Sequence, residues 1–224
     1  MGSSEFLQAL LSTEDKVYES NFSLKTKTLL NFCKFLFPKY IKLAANTKLK
    51  LKRDIIRIVE KLHPDVLIEL GSGYSKDYIS LMNKKLIQKI VQVDKESIIN
   101  AKTSNYRFIE GDITKVEVWN KLIKIRCKKG VIVAEGLFSY LNDEEFNFVM
   151  NKLKGLLENR FVLITHEPLK QISFSRKIIS LFIGKTYRRF NSVNQIKNYY
   201  KSLGLKSKIL SSTKWQAIYQ IYSR

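Results

Sequence analysis

The sequence is poor in the residues that cross-link, ligate or punctuate a chain, with 2 cysteines, 2 histidines, 3 prolines and 9 glycines in 224 residues. Cys33 and Cys127 stand far apart, and no cysteine or histidine follows at metal-ligand spacing. Neither a metal site nor a disulfide framework is therefore indicated, and a reducing, cytoplasmic location is expected. The scarcity of glycine and proline argues against long disordered tracts. No run of about 18 uncharged apolar residues occurs, so no transmembrane segment is expected. The first residues lack a basic stretch followed by an apolar run and a cleavage site, which argues against a secretory signal. Met1-Gly-Ser-Ser-Glu-Phe6 opens like a myristoylation motif but places Phe6 where serine or threonine is required, and residues 2 to 6 are compatible with a cloning remnant.

Acidic residues are also scarce: 20 Asp and Glu stand against 40 Lys and Arg, for a formal charge of +20. A positive field of that size attracts nucleic acid, an anionic membrane surface or an acidic substrate. The cations are mostly lysine and scattered along the chain, and a compositional bias toward Lys, Ile and Asn accounts for much of the excess equally well. Only a cluster in space would point to a polyanionic partner. What remains is ordinary for a globular protein, with 45% apolar and 27% charged residues and a length that supports one sizeable core.

Before Pro64 the periodicity is helical. Phe6, Leu7, Leu10 and Leu11 form one short apolar face, Leu29, Phe32, Cys33 and Leu36 another, and Ile55, Ile56, Val59 and Leu62 a third. Pro38 interrupts the second region and Pro64 closes the third. After Pro64, short apolar runs alternate with amphipathic stretches, as βαβ units around a parallel sheet require. The pattern predicts strands near 66–70, 90–94, 106–109, 131–135, 160–165, 205–210 and 216–222, with helices about 76–87, 96–102, 115–125, 143–157 and 192–202. Ser211-Ser-Thr213 leaves no room for a crossover helix, so the last two strands should pair antiparallel. The expected organisation is a helical N-terminal extension or substrate cap over 1–63 and a cofactor-binding domain over 64–224. An insertion at about 170–189 falls at the carboxyl edge of the sheet, where open α/β folds bind ligands.

Val66-Leu-Ile-Glu-Leu70 reads as a buried strand that runs directly into Gly71-Ser72-Gly73, where a sharp turn and close backbone approach to a ligand call for glycine. The next strand, Ile90-Val-Gln-Val-Asp94, ends in an acid 21 residues after Gly73. Such a carboxylate accepts hydrogen bonds from both hydroxyls of a ribose. A dinucleotide loop needs a third glycine over its pyrophosphate, and Lys76 stands there instead. S-adenosylmethionine carries no phosphate, and Glu69 suits its cationic amino and sulfonium groups. Asp112, after the third strand, is placed to accept the adenine amino proton while Ile113 packs on the ring. Any single acid at a strand end reads as well as a solvated turn residue; three in register with a glycine loop argue for S-adenosylmethionine.

Val131-Ile-Val-Ala-Glu135-Gly-Leu-Phe-Ser-Tyr140-Leu141, followed by Asn-Asp-Glu-Glu, resembles the leucine carboxyl methyltransferases and their bacterial relatives, often described as polyketide-type O-methyltransferases. The resemblance spans roughly residues 46 to 165. It implies a class I methyltransferase fold, Rossmann-like, with a seven-stranded, mostly parallel sheet that ends in an antiparallel strand. It also implies that Gly71 and Gly73 form the methionine-side loop, that Asp94 and Asp112 hold ribose and adenine, and that Glu135 lies near the cofactor's amino group. Where the family pairs an arginine with the cofactor carboxylate, this chain has Asn46-Thr-Lys48, and Lys48 supplies the charge without the bidentate fork.

Methyl transfer is an in-line displacement that depends on holding the acceptor about 3 Å from the methyl carbon. A carboxylate needs no base; a phenol or amine does. His166, just after the fifth strand, is the best-placed base and reads equally as a structural histidine. Tyr140 either lines the acceptor site or packs the next helix, and His63 reads as structural. The leading expectation is O-methylation of a carboxylate or hydroxyl on a small or peptidyl, acidic acceptor. The alternatives are an RNA or protein-lysine methyltransferase that uses the basic segments, and a non-catalytic methyltransferase-like or membrane-surface protein.

Overall fold

The computed structural model describes residues 38–72, 78–95, 105–168, 189–212 and 216–223. The apolar faces expected before Pro38, the helix expected over 96–102 and the body of the 170–189 insertion lie outside the described residues.

Helix α1 runs from Pro38 to Leu62. Pro38 is the first described residue of this helix, and the region before it, where the sequence places a second apolar face, lies outside the described residues. Leu51, Ile55 and Val59 recur every fourth residue on the buried face of α1. The helix stops where His63 takes a φ of 45° and Pro64 removes the next donor.

The core of the molecule is a seven-stranded sheet. Strand β1 (Val66–Leu70) is followed by α2 (Ile79–Asn83), β2 (Lys89–Asp94), β3 (Tyr106–Glu110) and α3 (Val116–Leu122). Next come β4 (Gly130–Ala134), a 3₁₀ turn (Leu137–Tyr140), α4 (Asp143–Leu157), β5 (Phe161–Pro168), α5 (Val193–Ser202), β6 (Lys206–Ser212) and β7 (Gln216–Tyr222). The strand order is β3-β2-β1-β4-β5-β7-β6. Strands β1 to β5 are parallel, and β7 inserts antiparallel between β5 and β6. The antiparallel pairing expected through the Ser211 turn is what the structure has.

Side chains alternate between two cores. Leu67, Ile90, Val131, Val133, Ile164 and Ile218 meet α1 and α2, while Ile68, Val91, Val93, Ile132 and Leu163 meet α3, α4 and α5 on the opposite face. The buried parallel strands therefore read as near-continuous apolar runs. Helix α4 coincides with the expected 143–157. Its capping box has Asn142 Oδ1 accepting from Glu145 N at 2.9 Å and Asn142 N donating to Glu145 Oε2 at 2.8 Å. Asp143, Glu144 and Glu145 in its first turn suit the positive end of the helix dipole.

Among the described residues, His63, Lys85 and Arg160 are the non-glycine positions with positive φ, at 45°, 59° and 73°. Each lies within three residues of a helix end, where glycine is the common occupant. A side chain in that conformation costs on the order of 1 kcal/mol or more.

Candidate functional site

The chain leaves β1 for β2 and β3 on one side and returns to β4 on the other, so the strand order reverses between β1 and β4. Open α/β sheets bind ligands at such a point, beyond the carboxyl ends of the strands. Gly71 leaves β1 with a φ of 68°, and its N–H donates to Val93 O at 2.9 Å. A Cβ on Gly71 would stand 3.0 Å from Leu137 Cδ1. The loop after β1 is thus packed against the loop after β4, and glycine is required there for conformation and for space. Ser72 follows, its N–H directed at Val93 O at 3.3 Å. Its hydroxyl is buried and has no hydrogen-bond partner among the described residues. Gly73 lies outside the described residues.

Glu69 is buried on the α1 face of the sheet and pairs in register with Gln92. Gln92 Nε2 donates to Glu69 Oε2 at 2.5 Å, and Tyr106 Oη donates to Gln92 Oε1. The three side chains form a polar ladder across β1, β2 and β3 that fixes the Glu69 carboxylate at the mouth of the crevice. Burial, reinforced by the Glu69 charge, pushes the Tyr106 phenol up to about 12, so it remains a donor at neutral pH.

At the end of β2, Asp94 is half-buried, and its Oδ1 accepts from Lys95 N at 2.7 Å. Beyond β3, Asp112 Oδ1 accepts from Thr114 N at 2.9 Å and from Thr114 Oγ1 at 2.8 Å. Its Oδ2 lies 2.8 Å from Lys95 Nζ. Burial alone would raise the Asp112 carboxyl, but the hydrogen bonds from Lys95 and Thr114 outweigh it and hold the group below its ordinary value. The same hydrogen bond raises Lys95 against the opposing effect of burial. A carboxylate has about four lone-pair directions, so Asp112 retains room for a further donor. Ile113 is buried, and its carbonyl accepts from Trp119 Nε1 at 2.8 Å, which pins the backbone beside Asp112.

Beyond β4, Glu135 is half-buried and Gly136 takes a φ of 71°. A Cβ on Gly136 would meet nothing within 4 Å, so this glycine serves conformation alone. Tyr140 closes the 3₁₀ turn, and burial pushes its phenol up to about 12. Arg189 braces the turn from the far end of the insertion. Its Nη1 donates to Phe138 O at 2.6 Å and its Nη2 to Leu141 O. Its Nε lies 3.2 Å from Asp143 Oδ1, and its guanidinium carbon sits 4.1 Å from the centre of the Phe146 ring.

Glu69, Gly71, Ser72, Asp94, Asp112, Ile113 and Glu135 thus gather at one edge of the sheet, around the strand-order reversal. His166 requires a correction. It lies inside β5, which runs on to Pro168, and it pairs with Ile218 of β7. Antiparallel pairing with β7 extends β5 past its expected end at 165. Lys48 lies in α1, and its side chain falls outside the described atoms. Gln92, Tyr106, Lys95 and Arg189 are site residues that the sequence reading missed. A glutamine inside an otherwise apolar strand, in register with Glu69, was the available signal for the first of them. Among the described residues no three His, Cys, Asp or Glu are grouped to hold a metal ion, and no helix is long and apolar enough to cross a membrane.

No protein-family model matches the sequence, and no curated protein matches it significantly. Solved structures do match. A candidate methyltransferase from Thermobifida fusca aligns with a TM-score of 0.72 at 13% identity, over 100% of this chain and 95% of its own. A duf574 family protein from Streptomyces avermitilis aligns at 0.71 and 10% identity, over 99% of this chain and 97% of its own. Magnesium protoporphyrin IX methyltransferase from Synechocystis, solved with bound SAH, aligns at 0.55 and 14% identity, over 81% and 87%. With the strand order above, these likenesses establish that the chain has the class I methyltransferase fold.

Proposed function

We propose that the chain binds S-adenosylmethionine in the crevice between β1 and β4 and transfers its methyl group to an oxygen of an acceptor. The observation that carries this reading is the ring of acids at the ends of successive strands, set around a left-handed Gly71 and a buried Ser72 hydroxyl without a described partner. Such a set of acceptors fits a ligand that offers ribose hydroxyls, amino groups and a positive charge. Bound there, S-adenosylmethionine would supply a methyl group activated by its sulfonium.

The chain's own residues divide the binding. Asp94 accepts from the ribose hydroxyls. Asp112, kept ionised by Lys95 and Thr114, accepts from the adenine amino group, and Ile113 packs on the ring. Glu69, held by Gln92, and Glu135 face the cationic methionine end, and Lys48 pairs with the carboxylate. Tyr140 stays protonated at neutral pH and therefore donates a hydrogen bond to the acceptor rather than removing its proton. Strand alternation puts His166 on the same sheet face as Ile164 and Glu69, and it acts as base where the acceptor is a hydroxyl. The resemblance of the Ala134 to Leu141 segment to leucine carboxyl methyltransferases supports a carboxylate acceptor on a small or peptidyl, cytoplasmic molecule, which needs no base.

Calorimetry with cofactor-stripped protein tests the binding, and no heat with S-adenosylmethionine would overturn the proposal. Transfer of labelled methyl groups in fractionated lysate then identifies the acceptor class. Label released by mild base indicates a carboxyl ester.

A further inference from the structure

Among the described residues a group of cations gathers at the amino edge of the sheet. The loops that enter the parallel strands carry Lys84 and Lys85 before β2, Lys128 and Lys129 before β4, and Arg160 before β5, all of them exposed. Backbone hydrogen bonds place these loops side by side. Asp65 N donates to Lys129 O at 2.8 Å, Lys89 N to Asp65 O at 3.1 Å, and Gly130 N to Arg160 O at 3.0 Å. Two acids stand among these cations: Glu158, exposed in the turn before β5, and Asp65 at the centre, whose Oδ2 accepts from the backbone N–H groups of Lys128 and Lys129 at 2.9 and 3.0 Å. The Asp65 carboxylate ties the backbone together and leaves the lysine side chains to solvent.

The basic surface continues up α1. Lys50, Arg53, Arg57 and Lys61 are all exposed and fall on one face of the helix, opposite Leu51, Ile55 and Val59. At 1.5 Å rise per residue the stripe is about 17 Å long.

Helix dipoles favour cations near helix C-termini, which accounts for basic residues in these loops. It does not account for Lys85 and Arg160 standing in left-handed turns, at φ 59° and 73°, where glycine would sit without strain and a neighbouring position could carry the charge. Cationic side chains stand at these turns against the preference of the backbone.

We infer that the amino edge of the sheet, together with the exposed stripe of α1, is a docking face for a nucleic-acid backbone. Among the described residues Ile123 is the exposed large apolar side chain on this edge. It offers little to bury in a bilayer, and no exposed aromatic stands there among the described residues for base stacking. The face therefore suits sequence-independent phosphate contact. Its loop cluster lies across the sheet from the crevice, the α1 stripe runs from there up to Lys50, and the inference does not depend on the methyl-transfer reading.

Anisotropy of a labelled single-stranded RNA, with single-stranded DNA of the same sequence as a second arm, tests the face. Four phosphate contacts give a slope of about −3 in log affinity against log salt, or about a 50-fold loss between 50 and 200 mM. In the double variant Lys85→Gly/Arg160→Gly the slope should flatten by about 1.4 and the affinity fall. Its melting temperature should hold or rise, which a merely structural role for the two side chains would not produce. Lys115→Gln, on the opposite edge, should leave RNA binding unchanged, and S-adenosylmethionine calorimetry on the double variant should match the wild type. Three results would overturn the inference: no salt-sensitive binding of either nucleic acid, unaltered affinity in the double variant, or binding confined to vesicles of phosphatidylcholine and phosphatidylserine.

Discussion

The carboxyl and amino edges of this sheet are built from the same five parallel strands, yet they differ in charge and in backbone chemistry. Glu69, Asp94, Asp112 and Glu135 line the carboxyl edge, and its left-handed positions at Gly71 and Gly136 are glycines. Lys84, Lys85, Lys128 and Lys129 line the amino edge, and its left-handed positions at His63, Lys85 and Arg160 carry side chains, with Gly204 before β6 the glycine among them. A βα topology sends the residues after each strand to one edge and those before it to the other. Among the described residues, cations that look scattered along the sequence therefore gather in the loops of the amino edge, and a formal charge of +20 does not by itself describe the crevice, where carboxylates stand at the strand ends.

The largest effect that separates the edges is on cofactor affinity. On the proposed binding, Asp94→Ala would remove two charge-assisted hydrogen bonds to the ribose of about 1.5 kcal/mol each, so S-adenosylmethionine affinity should fall on the order of 100-fold by calorimetry. The thermal midpoint should hardly move, because Asp94 is only half-buried. Lys128→Gln on the amino edge should leave the affinity at the wild-type value, and equal losses in both variants would break the comparison.

Next in size is Arg189→Met. The guanidinium is largely buried, with 11% side-chain exposure, against the carbonyls of Phe138 and Leu141. Its loss removes the guanidinium from both carbonyls, leaving Phe138 O with the long bond from Leu141 N at 3.4 Å, and should destabilise the fold by about 2–4 kcal/mol, or roughly 5–10 °C in a thermal melt. Arg189→Lys restores the charge without the fork and should recover only part of that. A melt unchanged from wild type would remove Arg189 as the brace of the loop that carries Glu135 and Tyr140.

The edges also differ in how far the sequence reveals them. Strand β1, the turn at Gly71 and the acids Asp94 and Asp112 are legible because each depends on its neighbours in the chain: an apolar run, a glycine where the backbone must reverse, a carboxylate at a strand end. Helix α4 is legible to its boundaries because its apolar periodicity is unbroken and Asn142 caps it. Gln92 and Tyr106 become partners of Glu69 only once β1, β2 and β3 are aligned, and no local pattern states that register. Arg189 reaches Phe138 from 51 positions away along the chain. His166 was misplaced because the length of β5 is set by its pairing with β7, not by its own residues. The amino edge stays hidden until the topology collects its loops.

Paired substitutions at the left-handed turns should move stability in opposite directions. Gly71→Ala forces a side chain into φ 68° and against Leu137, and should cost about 1–2 kcal/mol. Lys85→Gly relieves a φ of 59° and should be neutral or stabilising by a few tenths of a kcal/mol, once the added entropy of the unfolded chain is offset. Chemical denaturation of the two variants measures both signs. A destabilised Lys85→Gly would mean that its side chain supports the fold and is not simply held out for a partner.

The smallest effect concerns the Lys95–Asp112 pair. Asp112 is held below its ordinary carboxyl value, so the stability it contributes is present above its unfolded pKa and is lost as pH falls through the folded value. Lys95 is raised, so its contribution is present below 10.5 and is lost as pH rises through its folded value. Solvent screens the pair, because the Lys95 side chain is 72% exposed, and it should be worth about 0.2–1 kcal/mol at most. The acid limb is the cleaner readout. On the alkaline side Tyr106 and Tyr140, both pushed up to about 12, lose their own contribution as the unfolded phenols ionise from about pH 10 upward. In melts of wild type and Lys95→Met, the gap should be constant from neutral pH down to the range of an ordinary carboxyl and close below it. A gap that persists in acid would show that Lys95 acts through packing of its aliphatic stem. The crevice would then owe the placement of Asp112 to Thr114 alone.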